Sequence, residues 1–291
     1  YLRAENVYFE EGINEELGAT AVWGTQQVNM YKGAKYDGVF GMWYGKGPGV
    51  DRSCDVLRHA NAAGTSPLGG VLAIAGDDHA CKSSTIPHQS DHSFYSTMLP
   101  MLYPANMQEF VEYGLLGIAM SRYSGCWTAF KVTSDTAEST GVVDLTREDR
   151  KIIIPGDDDF EMPEGGLHIR PHDVWREQDY RLQRYKLFAA LAFGKKNNLD
   201  RIVMDSTKPR FGIITSGKTY GDVRQALFEL GIDEDVAEQI GLRVFKVGMP
   251  WPLEPEGVRN FCEGLEEILI VEEKRELIEN QLKQQLFNWH A

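Results

Sequence analysis

The segment Asn14-Glu15-Glu16, followed by LGATAVWGTQQ, brings a carboxylate to the head of an amphipathic stretch. Asn14 can cap the first helical turn and a glutamate there gains modestly from the helix macrodipole, so a capped helix with ordinary charges is the plain reading. Gly18, Ala19 and Thr20 beside the large Trp23 would let another group approach closely, although packing alone explains them equally well. A second polar concentration, Asp77, Asp78, His79, His88, Asp91 and His92, has the residue types of a metal site, and His88 and His92 could share a helix face. A metal-dependent hydrolase and an ordinary polar loop both fit it. A Ser84–His88 nucleophile has little support, because no GxSxG elbow precedes it. Gly45-Lys46-Gly47-Pro48-Gly49 could hold a phosphate at a helix start but lacks P-loop spacing, so a tight strand-to-helix turn fits better. Lys218 poses the same question and receives no chemistry, and Glu272 and Glu273 at a strand end read as capping or interface-pairing groups.

The elements that must position these groups follow from the apolar pattern. A helix is expected over 14–28, strands over 39–43 and 70–75, and a helix near 54–61 between them. A helix over 88–98, a strand near Met101, a helix over 107–120 and a strand over 127–133 continue the alternation. Strands alternating with helices imply a parallel sheet covered on both faces, with its ligand site at the carboxyl ends of the strands. Those ends are GKGPG, GDDHACKSS and the segment 133–139. Residues 141–175, charged and proline-bearing, read as a linker, and a long helix over 176–198 leads to a second unit. Its strands are expected over 211–215, 242–247 and 268–271, with helices near 219–230, 254–262 and 275–287.

Composition bounds the rest. At 291 residues the default is two compact units. Thirty Lys and Arg against 43 Asp and Glu give a net charge of -13, a surface that repels phosphate backbones and argues against a nucleic-acid partner. The four cysteines form no CxxC pair, and no stretch approaches the roughly 20 apolar residues that span a bilayer. Without a signal-peptide pattern, a cytoplasmic location is expected. The chain opens at Tyr1 and enters an amphipathic pattern almost at once, which suggests that residues precede it.

A glutamate, eight residues and then a glycine, Glu15 to Gly24, in a small-residue helix resembles the element by which 2-oxoacid:ferredoxin oxidoreductases contact the aminopyrimidine of thiamine diphosphate. GMWYGKGPGVDRSCDVLRHANAAGTSPLGGVLAIAGDDHACKSSTIPHQSDHSF and SRYSGCWTAFKVTSDT are similar to the indolepyruvate ferredoxin oxidoreductase members in particular. FGIITSGKTYGDVRQALFELG, LRVFKVGMPWPLEPEGV and ILIVEEKRELIENQL resemble that family's transketolase-C-like domain. The resemblance implies a pyrimidine-type thiamine diphosphate-binding domain over 1–140, a linker and connecting helix over 141–205, and a transketolase C-terminal-like α/β domain over 206–291. It implies oxidative decarboxylation of arylpyruvates to aryl-acetyl-CoA, with ferredoxin as electron acceptor. Glu15 is then the catalytic residue, hydrogen-bonded to the pyrimidine, with Glu16 as the register alternative. Gly24, Asp78, Ser83, Ser84 and Gln89 are the further cofactor-binding candidates. Mg2+ and [4Fe-4S] clusters are expected on other parts of the enzyme, because neither the acidic diphosphate motif nor cysteine ladders are found here. A dimer or larger assembly is expected, and the chain alone is expected to be inactive. A non-catalytic scaffold of the same fold is the competing reading from another class, and the metal-dependent hydrolase is the third.

Overall fold

Asn14 has extended backbone angles, and its side-chain oxygen accepts the Leu17 N–H at 2.9 Å, so helix α1 (Glu15–Thr25) starts where the capping residue predicts. The computed structural model describes residues 1–146 and 151–289; positions 147–150, inside the expected linker, and 290–291 lie outside the described residues. Strand β1 (Phe40–Lys46) passes directly into helix α2 (Gly47–Ala63). The glycine-rich segment is therefore the first helical turn and no separate turn exists. Pro48 favours this outcome, because its fixed φ suits a first turn and its missing N–H has no partner to lose there.

Strand β2 (Gly70–Asp77) is buried along nearly its whole length, as an apolar run inside a parallel sheet must be. Helix α3 (Asp91–Thr97) begins later than the apolar spacing suggests. Ser90 holds the preceding loop back by giving both its N–H and its hydroxyl to Asp77, at 2.8 and 2.6 Å. Strand β3 (Met101–Leu102), helix α4 (Met107–Ser124), strand β4 (Thr128–Thr133) and helix α5 (Ser134–Ala137) complete the first unit. Its sheet has the order β1-β2-β4-β3 and is parallel throughout. Helices α1 and α2 lie against β1, and α4 lies against β2 and β4.

The expected long connecting helix is one rod of three parts: α6 (Trp175–Arg181), a π turn over Leu182–Lys186 and α7 (Leu187–Lys196). The π turn buries Lys186, whose ammonium donates to the Asn61 and Ala62 carbonyls at the carboxyl end of α2. A cation there is favoured by the helix dipole, but burial still pushes Lys186 down to about 8.

The second sheet contains β6 (Phe211–Ser216), β7 (Leu242–Val247) and β8 (Glu267–Val271), close to the expected spans. It also contains β5 (Arg201–Met204), which pairs antiparallel with β7 and is too short to show in the sequence pattern. The strand order is β5-β7-β6-β8. Helices α8 (Gly217–Glu229), α9 (Glu234–Ile240), α10 (Pro255–Cys262) and α11 (Ile278–Leu286) accompany it, and α9, capped by Asp233, was not foreseen. Among the described residues no helix is long and apolar enough to cross a membrane.

The cores of the two units run into each other. Trp251 and Leu277 belong to the cluster of Trp43, Val71 and Trp127, while Met249 and Phe193 pack with Leu102 and Phe130. Main-chain bonds from Met101 to Trp251 (2.7 Å) and from Tyr103 to Gly248 (3.0 Å) cross the junction. Asp200 holds its far side, accepting the Gly248 and Met249 N–H groups at 2.8 and 3.0 Å. Its other carboxyl oxygen is buried without a partner, and burial pushes the group up to about 7. A raised folded-state value means that the folded chain holds more protons than the unfolded one between the ordinary carboxylate range and neutrality. The Asp200 contribution to stability therefore falls as pH rises through that interval. Thermal melts should show this slope in the wild type, and Asp200→Asn should lack it relative to the wild type.

Candidate functional site

The carboxyl ends of β1, β2 and β4 lie side by side, with Lys46 opposite Gly76 and Asp77 opposite Thr133. Glu15 reaches this edge from α1. Trp43 donates its indole N–H to the Glu15 carbonyl at 2.9 Å, fixing the head of the helix over β1. The side chain then crosses to the first turn of α2. A Cβ on Gly49 would lie 2.5 Å from Glu15 Cγ and 3.1 Å from its carboxyl carbon, so only glycine permits the approach. A carboxylate beside the first turn of a helix lies near the positive end of its dipole. Glu15 is half-buried, and among the described residues no protein group hydrogen-bonds its carboxylate. Glu16 is exposed and stands 4.0 Å from Arg52.

The other expected contacts divide into those that gather here and those that do not. Asp78 is buried and accepts the Ser83 and Lys82 N–H groups at 2.7 and 2.9 Å. These two main-chain donors hold its carboxyl below the usual range. Lys46, at the end of β1, donates to the Ser83 carbonyl at 2.7 Å and its hydroxyl at 3.2 Å, so Asp78 and Ser83 shape the loop over the strand ends. Ser84 accepts the Cys81 thiol on its carbonyl, and its buried hydroxyl has no partner. Gln89 turns away: its amide bonds the Arg275 N–H (3.1 Å) and carbonyl (3.0 Å) and the Glu273 carbonyl (3.4 Å), tying the loop to the second unit. Gly24 lies on the opposite face of α1, about 13 Å along the axis from Glu15, exposed and with open space around it.

His88 sits outside α3 and does not share a helix face with His92. Among the described residues no group of three or more His, Cys, Asp or Glu side chains is arranged to hold a metal ion. The polar cluster is instead a set of charge pairs. Lys131 of β4 is 2 % exposed; its ammonium lies 2.7 Å from Asp91, 4.0 Å from Asp77 and over the Tyr103 ring at 4.7 Å. Burial opposes the Lys131 charge, but Asp91 and Asp77 outweigh it and raise the group above its ordinary value. Tyr103 donates to Glu273 at 2.9 Å, and His79 stands 3.2 Å from the same carboxylate. Burial opposes the Glu273 charge as well, yet His79, Tyr103 and Lys131 hold it below the usual carboxylate range. Sequence reasoning passed over Lys131, although a lysine inside an otherwise apolar strand, TAFKVT, was the signal for it.

Glu273→Ala would leave the Tyr103 hydroxyl without its acceptor and remove the carboxylate beside His79, a loss of about 2 kcal/mol in urea denaturation at neutral pH. Because the folded value is lowered, the contribution is complete above the unfolded carboxylate pKa and disappears as pH falls through the folded one. The difference between variant and wild type should therefore narrow in acid.

Comparison with known proteins agrees with this architecture. Residues 200–291 match the family described as the indolepyruvate ferredoxin oxidoreductase middle domain. The chain is 25% identical over 281 residues to indolepyruvate oxidoreductase subunit IorA of Methanothermobacter marburgensis, which covers 95% of this chain and 41% of the relative. It thus spans about two fifths of the length of the curated relatives it matches. A 2-oxoglutarate:ferredoxin oxidoreductase from Magnetococcus marinus superposes with a TM-score of 0.66 at 12% identity, covering 98% of this chain and 53% of the other. A split-gene transketolase superposes at 0.57 with 11% identity, covering 99% and 72%. The two structural likenesses speak for the fold alone: a thiamine-type parallel sheet unit followed by a transketolase-C-like unit. The sequence likeness is to the indolepyruvate ferredoxin oxidoreductase middle domain over residues 200–291 and, at low identity along most of the chain, to the IorA subunits.

Proposed function

We propose that this chain supplies the pyrimidine side of a thiamine diphosphate site in an enzyme that oxidatively decarboxylates 2-oxoacids. The observation that carries the reading is the Glu15 carboxylate, half-buried at the carboxyl edge of the parallel sheet and without a protein hydrogen-bond partner among the described residues. A pyrimidine ring nitrogen needs such an acceptor. The glycine-lined wall of Gly45 and Gly49 leaves room for Glu15 to lie against the main chain. Glu15 is the catalytic residue in this reading: its carboxyl shares a proton with the ring and so sets which ring nitrogen is basic. The carbanion chemistry itself is supplied by thiamine diphosphate when bound. Trp43 keeps Glu15 in place through the 2.9 Å bond to its carbonyl, and the bonds of Asp78, Ser83 and Lys46 hold the loop at the strand ends. Ser84 is the one loop candidate with a free buried hydroxyl to offer.

The finer assignments belong to the same proposal. The substrates are arylpyruvates, the product an aryl-acetyl-CoA, and the electron acceptor ferredoxin. Mg2+ with the diphosphate, and the iron-sulfur clusters, are held elsewhere in a cytoplasmic assembly of at least two copies. Residues 1–140 form the pyrimidine-type domain, 141–205 the linker and connecting helix, and 206–291 the transketolase-C-like domain.

Glu15→Gln in the full-length enzyme with its partner subunits tests the reading. Turnover should fall by about 100-fold or more while Glu16→Gln stays close to wild type. Wild-type turnover in Glu15→Gln would return the chain to a scaffold role.

A further inference from the structure

The first turn of α2 is pressed from two sides. Gly49 takes Glu15, and Gly47 takes His88: a Cβ on Gly47 would lie 1.9 Å from His88 Nδ1 and 2.3 Å from its Cγ. Residues two apart on a helix point about 200° from each other, so the two side chains grip one turn from different directions. His88 is 8% exposed and none of the residues assigned to the chemistry above uses it. Its Nε2 lies 2.8 Å from Asp51 Oδ2, and the other Asp51 oxygen accepts the Ser93 hydroxyl at 2.9 Å. On the opposite side, Nδ1 is 3.5 Å from Asp77 Oδ1, a contact that is close without completing a hydrogen bond. Asp77 is itself fixed by Ser90, and the His88 carbonyl lies 2.6 Å from His79 Nδ1. The imidazole is thus clamped between the end of β2 and the amino end of α2.

We propose that His88 is a positioning residue for the thiamine site, setting the depth of the first turn of α2 and, through Gly49, the placement of the Glu15 carboxylate. The inference rests on the assignment of Glu15 to the cofactor pyrimidine. Its physical basis is that a packed interior transmits displacement and does not absorb it. Without the ring, the main chain at Gly47 can settle toward β2, and Gly49 moves with it because both belong to one helical turn. A carboxylate displaced by a fraction of an ångström no longer meets the ring nitrogen squarely. A histidine that only filled core volume would leave the cofactor untouched when replaced.

The test uses the full-length enzyme assembled with its partner subunits, in four versions besides wild type: His88→Ala, His88→Gln, Asp51→Ala and Glu15→Gln. The readouts are kcat, the KM for the 2-oxoacid, the thermal melt, and the Kd for thiamine diphosphate with Mg2+. The Kd is followed by tryptophan fluorescence, which Trp43 makes sensitive to the Glu15 wall. In His88→Ala the cofactor Kd should rise several-fold and kcat should fall by roughly tenfold or more, with the 2-oxoacid KM little changed. His88→Gln, whose amide N–H can still reach Asp51, should recover most of both. Asp51→Ala opens the same clamp from its solvent side, where the side chain is 57% exposed, and should show the same change in cofactor Kd even if His88→Ala fails to assemble. Wild-type cofactor Kd in both His88→Ala and Asp51→Ala overturns the proposal, whatever happens to the melting temperature. So does a loss that His88→Gln does not restore at all. In either case a large loss in Glu15→Gln leaves the thiamine assignment standing. Wild-type turnover in Glu15→Gln removes that assignment and the positioning role together.

Discussion

Lys131 is a charge that the first sheet has to accommodate. It stands in the middle of a strand buried on both faces, where an unpaired ammonium would be prohibitively costly. Asp91 and Asp77 answer it directly, and each brings an element with it. Asp77 ends β2 and draws in Ser90, which delays α3 and leaves the preceding loop free to pass over the strand ends. Tyr103 covers the ammonium from another side and donates a hydrogen bond from its hydroxyl to Glu273 of the second unit. The pairing of one buried cation therefore decides where α3 starts, how the loop runs and where the second unit sits.

A second constraint is the passage of β1 into α2 without a linker. The carboxyl end of a parallel sheet and the positive end of a helix coincide there, a combination suited to anionic groups. The Glu15 side chain packs against this turn at Gly49. Two glycines in one turn make this possible, since each lets a side chain rest directly on the main chain. The turn is consequently a contact surface for the site, which explains why the phosphate-loop reading of GKGPG does not apply.

The two units behave as one body at their junction. Beyond the Tyr103–Glu273 bond, Glu109 at the head of α4 pairs with Lys246 and with Arg201 (3.1 Å) of the second sheet, and Gly217 packs against the Tyr103 ring. Glu272 caps α11 by accepting three successive N–H groups, so the strand end that carries Glu273 is also anchored from behind. Gln89 adds main-chain bonds to the same segment. The loop over the strand ends is thus held by the second unit as well as by the first.

The sequence by itself determined the alternation of strands and helices, because buried parallel strands such as GVLAIAGD must be largely apolar and a capped helix must open on a residue such as Asn14. It also singled out Glu15, through the resemblance of its helix to a cofactor-binding element. It did not reveal β5 or α9, whose few residues carry too little periodicity to rise above the surrounding pattern. Nor did it disclose the hydrogen bonds of His88 to Asp51, Lys131 to Asp91 and Gln89 to Arg275, whose partners lie from 37 to 186 residues away along the chain. Local spacing can only propose a histidine pair on a helix. The tertiary structure decided instead that His88 Nε2 pairs with Asp51 while Nδ1 stands close to Asp77, because the fold, and not the local spacing, sets which groups come within reach of a buried ring.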